Sequence, residues 1–66
     1  MNKEILHDAM AYCETKDEAR MVVDAFEEGY TQALIDYSDL NGISESSLEI
    51  FLEPFRRQVQ EVRDEI

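Results

Sequence analysis

Two stretches of this chain repeat their apolar residues at alternating steps of four and three, a spacing that selects α-helix over strand. In the first, Ala19, Val23, Phe26, Tyr30, Ala33, Tyr37 and Leu40 follow one another without a gap. In the second, Leu48, Leu52, Phe55, Val59, Val62 and Ile66 do the same. A helix turns once in about 3.6 residues, so each series stays on one face as a seam for a neighbouring helix. No run alternates apolar and polar residues in the manner of a strand.

The residues flanking the seams set the helix ends. Thr15-Lys16-Asp17-Glu18 has the capping-box pattern, in which a Thr oxygen accepts an amide of the first turn and Glu reaches back toward the cap. Asn41-Gly42 closes the second helix, because glycine accepts the left-handed backbone of a helix C-terminus. Ser44 or Ser46 can cap the third, and Glu49 follows Ser46 at capping-box distance. Ahead of these, a first helix is expected from Lys3 to Glu14 with Asn2 as its cap. Its apolar face would be Ile5, Leu6, Ala9, Met10 and Cys13.

The expected fold is therefore all-α: a short N-terminal helix beside a long antiparallel hairpin, in one acidic domain spanning residues 1–66. Pro54 falls inside the second seam, which continues in phase across it, so the third helix is expected to kink there. The alternative is a helix over 44–53 followed by a new one with Pro54 at its first position. Tyr30, Tyr37, Phe51 and Phe55 are assigned to the core. Two hairpins pairing as a homodimer would enlarge a core that is small at this length.

With only 66 residues, such a chain buries roughly 60% of the surface that its unfolded form exposes, leaving little room for an enclosed active site. The chemistry-bearing residues agree. One His and one Cys, six residues apart, form no nucleophile–base pair, and no glycine-rich phosphate loop exists. Glu4-x-x-His7 is half of a di-metal motif with no second copy. Asp39-Leu40-Asn41-Gly42 has the look of a calcium loop, but Leu48 stands where the bidentate Glu is required. No enzyme, metal or cofactor is expected. The single Cys13, and an N-terminus whose Glu4, His7 and Asp8 interrupt any apolar run, point to a reducing, cytoplasmic setting.

Charge is the informative property. The formal net charge is −10, with 16 Asp and Glu against 6 Lys and Arg. Between Met21 and Phe55 there are eight acids and no base, so this middle segment carries −8 of the total. Such a surface repels phosphate and anionic lipid; it attracts a basic protein. At about 100° per residue, Asp24, Glu28, Asp36 and Asp39 lie on the side of the second helix away from its seam. Glu45, Glu49 and Glu53 form a ridge with about 6 Å of rise between neighbours, close to the phosphate spacing of a nucleic-acid strand. Ile35 and Ile50 project from these same acidic faces, as apolar anchors do inside a charged rim, unless the first helix covers one of them. The partner-binding surface is accordingly expected at Asp24, Glu28, Ile35, Asp36, Asp39, Glu45, Glu49, Ile50 and Glu53.

In size, helix content and concentrated negative charge the chain resembles the phage anti-restriction and anti-CRISPR proteins that imitate DNA. The likeness is one of kind and carries no motif, so it assigns no residue. It implies an inhibitor of a nucleic-acid-binding protein. The rival expectation is an assembly module whose acids are merely solvated.

Overall fold

The structure, a computed structural model, describes residues 3–66. Three helices make it up: α1 (Lys3–Met10), α2 (Lys16–Asn41) and α3 (Glu45–Asp64). The last two form the antiparallel hairpin, and the described residues contain no strand.

The helix ends follow the local chemistry closely. Thr15 caps α2 by accepting the Glu18 amide at 3.1 Å. Glu18 in turn accepts an amide at 3.0 Å, from Glu14, one residue ahead of the cap. At the other end Gly42 takes the left-handed conformation (φ 67°), and the amides of Gly42 and Ile43 both donate to the Ser38 carbonyl. Ser44 caps α3, accepting the Ser47 amide at 3.3 Å, and Ser46 lies inside the helix.

One expected boundary needs correction here. α1 ends at Met10, about a turn before Glu14, because the following amides of Tyr12 and Cys13 bond three residues back and the chain swings toward the Thr15 cap. The proposed cap Asn2 lies outside the described residues. α3 is one element across Pro54, with no new start at that residue. Pro54 sits on the exposed side, where water can reach the carbonyl of Ile50 that its missing N–H would have met.

The core is concentrated at the end of the hairpin where the termini lie. Leu6 of α1 enters between the two long helices and is fully buried with Val23, Val59 and Val62, while Leu52 and Phe55 are nearly so. Each buried aliphatic side chain contributes about 1.5–3 kcal/mol. Beside this core, Phe26, Tyr30 and Phe55 form an aromatic cluster, with Tyr30 and Phe55 ring centroids 4.3 Å apart. Lys3 pairs with Glu61 and His7 with Glu65 (2.6 Å), fastening α1 along the edge of α3. The α3 seam is buried or half-buried at all six positions.

The α2 seam holds only as far as Tyr30. Beyond it the inward residues are Leu34 and Ser38, whereas Ala33, Tyr37 (59% exposed) and Leu40 (87%) face solvent. Phe51, also assigned to the core, is 63% exposed. Two causes combine. Steps of four rotate the buried stripe by about 40° each, turning Tyr37 and Leu40 away from α3. In addition, α1 is eight residues long and covers only the other end. The molecule is elongated, 41 × 18 × 16 Å, and its turn half is only two helices thick.

Candidate functional site

The acidic segment spans α2, the turn and the first half of α3, and folding redistributes its charge. Arg63 reaches across the hairpin, donating to Asp24 at 2.6 Å and to Glu27 at 2.8 Å. The hydrogen bond to Asp24, then that to Glu27, push the guanidinium above its already high pKa, while burial opposes them. Arg56 reaches back two turns to Glu49 (3.1 Å), and Arg57 one turn to Glu53 (3.4 Å). Three of the nine anticipated partner-binding residues, Asp24, Glu49 and Glu53, thus have counter-ions within the chain. Bases just outside the acidic segment fold back onto it and neutralise part of its charge.

Four of the anticipated residues do meet. Ile35 and Asp39 from α2, with Glu45 and Glu49 from α3, line a groove of about 490 Å³ beside the interhelical turn, together with Ser46 and Leu48. Ile35 is half-buried there, at the end of the hairpin remote from α1, so α1 is not what covers it. Its floor is aliphatic and its walls are carboxylates and a hydroxyl. An arginine or lysine suits such a groove, the stem lying on Ile35 and Leu48 and the cationic head meeting Asp39 and Glu45.

The others stand apart. Glu28 borders a shallow depression of about 770 Å³ with Glu27, Gly29, Thr31 and Arg56, open because Gly29 has no side chain and nothing approaches within 4 Å of where one would be. Asp36 is exposed and accepts a hydrogen bond from Gln32 (2.9 Å). Ile50 is 70% exposed on the outer side of α3, away from the groove. As a common surface, the nine residues therefore reduce to the quartet Ile35, Asp39, Glu45 and Glu49.

Sequence reasoning missed Ser46 and Leu48 as groove residues, and it missed Tyr37, Leu40 and Phe51 as exposed apolar ones. The i, i+4 step from Glu53 to Arg57 was the available sign that part of the ridge would be neutralised. Among the described residues no cluster of His, Cys, Asp and Glu could hold a metal ion, and no helix is long and apolar enough to cross a membrane. No family model matches the chain, and neither a curated protein nor a solved structure is significantly similar to it.

Proposed function

We propose that this chain is a non-enzymatic binding protein that presents its acidic turn half to a basic site on another protein, one that ordinarily holds nucleic acid. The observation that carries this reading is the groove itself, which joins an aliphatic floor to carboxylates from two helices. Its Asp39 and Glu45, and Asp36 farther out on α2, form no ion pair with a Lys or Arg among the described residues. Paired acids elsewhere stabilise the fold; these are left to act on a partner. Inhibition by occupying a phosphate-binding surface, as DNA-imitating proteins do, is the activity such a charge distribution would support.

Affinity purification from a lysate tests it, comparing the parent chain with the Asp39→Lys/Glu45→Lys double variant. The parent should retain a nucleic-acid-binding protein at about 50 mM salt, release much of it by about 200 mM, and lose it to added DNA or RNA. The double variant should retain none while keeping its helical circular dichroism. Equal retention by both would overturn the reading.

A homo-oligomeric assembly module remains the second reading, favoured by the exposure of Tyr37, Leu40 and Phe51. It would have to bring two chains of net charge −10 together.

A further inference from the structure

Along one side of the hairpin this chain meets its acids with arginine. Arg63 forks between Asp24 and Glu27 of α2, and Arg56, seven residues earlier on α3, donates to Glu49. Seven residues are almost two whole turns, so Arg63, Arg56 and Glu49 keep to one stripe of α3, and Glu45, a further turn on, stays within it. The pairing stops at the groove beside the interhelical turn. Arg56 is taken up by Glu49, the segment between Met21 and Phe55 has no Lys or Arg, and Asp39 and Glu45 have no basic partner among the described residues.

We infer that the groove receives one arginine side chain of the partner, its stem on Ile35 and Leu48 and its guanidinium held between Asp39 of α2 and Glu45 of α3. This rests on the partner's being a basic protein. Geometry and hydration select arginine over lysine. The two carboxylates stand on different helices, so a planar guanidinium with five N–H donors serves both at once and still has a donor for the Ser46 hydroxyl, whereas an ammonium is a single point of charge. A guanidinium is also the more weakly hydrated of the two, and it costs less to bring over an aliphatic floor. Arg63 shows the same arrangement made with an arginine of the chain itself, one guanidinium donating at 2.6 and 2.8 Å to two carboxylates. A second copy has no arginine to spare, because Arg20, Arg56, Arg57 and Arg63 are all ion-paired. A nucleic-acid-binding protein does, since carboxylate and phosphate present a similar fork of oxygens to its phosphate-binding arginines.

Single-residue probes suit a site of this size: N-acetylarginine methylamide, its lysine counterpart and its uncharged citrulline counterpart. Each is titrated at about 20 mM salt into isotopically labelled protein while amide shifts are followed by NMR. The arginine probe should move the amides of residues 35, 39 and 45–49 and bind at least about threefold more tightly than the lysine probe. The citrulline probe should leave them in place. Asp39→Asn and Glu45→Gln, both at exposed positions, should each weaken arginine binding about threefold without altering circular dichroism. Asp64→Asn, which removes the same charge at the far end of α3, should leave it unchanged. Equal affinity for the arginine and lysine probes overturns the inference, as does a loss in Asp64→Asn as large as in the groove variants. So do groove amides that move on dilution of the protein alone, because a second copy then fills the site. Lysate capture separates this failure from that of the underlying reading. If Asp39→Lys/Glu45→Lys abolishes capture while the arginine and lysine probes bind the parent alike, the acidic surface stands and the arginine site falls. If the arginine probe seats in the groove while parent and double variant capture equally, the arginine site stands and the nucleic-acid-binding partner falls.

Discussion

The two halves of the hairpin are built from the same repeat, yet they have different physical roles. At the terminal end three helices meet, and Leu6, Val23, Val59 and Val62 are fully buried. At the turn end two helices meet, Tyr37, Leu40 and Phe51 face solvent, and Asp36, Asp39 and Glu45 have no Lys or Arg partner among the described residues. A seam describes which residues can be buried; only the number of neighbouring elements decides which are. Stability is therefore concentrated at one end, and exposed recognition chemistry at the other.

Core substitutions break this comparison most forcefully. Val59→Asp places an unpaired charge where no partner is available, and it should unfold the protein outright. Leu6→Ala should cost about 2–5 kcal/mol, comparable with the whole stability of a domain of this size, estimated at about 3–10 kcal/mol. Phe51→Ala, although it truncates a larger side chain, should change stability by less than about 0.5 kcal/mol. Urea denaturation monitored at 222 nm measures all three, and a Phe51→Ala loss as large as that of Leu6→Ala would erase the distinction between the halves.

A smaller effect is expected at the charged link between them. Arg63 joins the end of α3 to two α2 carboxylates through a side chain only 30% exposed, so Arg63→Ala should destabilise by about 1 kcal/mol. Arg57→Ala, whose partner Glu53 is one turn away and largely exposed, should cost a few tenths at most. Equal losses in the same urea experiment would show that bridging two helices adds nothing.

Much of this architecture was legible because local chemistry and periodicity agreed. The Thr15 cap, the Gly42 turn and all six α3 seam positions appear where their residue types require. The Ala33, Tyr37 and Leu40 portion of the other seam failed because burial there needs a third element, and α1 lies along the other half, from Lys3 beside Glu61 to Met10 near Ile66, a placement that spacing does not encode. Four of the six groove residues were visible for a similar reason. Ile35, Asp39, Glu45 and Glu49 converge because a tight turn sets the start of α3 beside the end of α2. Ile50 and Glu53 point elsewhere, and Asp24 is held by an arginine 39 residues away, which a segment-by-segment charge count cannot foresee.

The smallest effect belongs to α1 and to alkaline solution. Hydrogen bonding to Glu61, reinforced by its charge, raises the Lys3 pKa above the ordinary 10.5. A raised value means that the folded state binds the proton more tightly. The contribution of Lys3 is thus complete below pH 10.5 and lost as the pH climbs through the higher folded value. The parent should be slightly more stable than Lys3→Gln at pH 8, with the gap narrowing in alkali. A gap that widens with pH would reverse the assignment.

Native-state hydrogen exchange tests the division between the halves most directly, because it reads opening free energy amide by amide. Amides at 23–30 and 55–62 should exchange only through global unfolding, with a urea dependence matching that of the whole molecule. Those at 34–40 and 48–51 should exchange through a smaller opening that is nearly independent of urea. Uniform protection along both long helices, with one common urea dependence, would contradict a molecule whose stability lies at one end and whose recognition surface lies at the other.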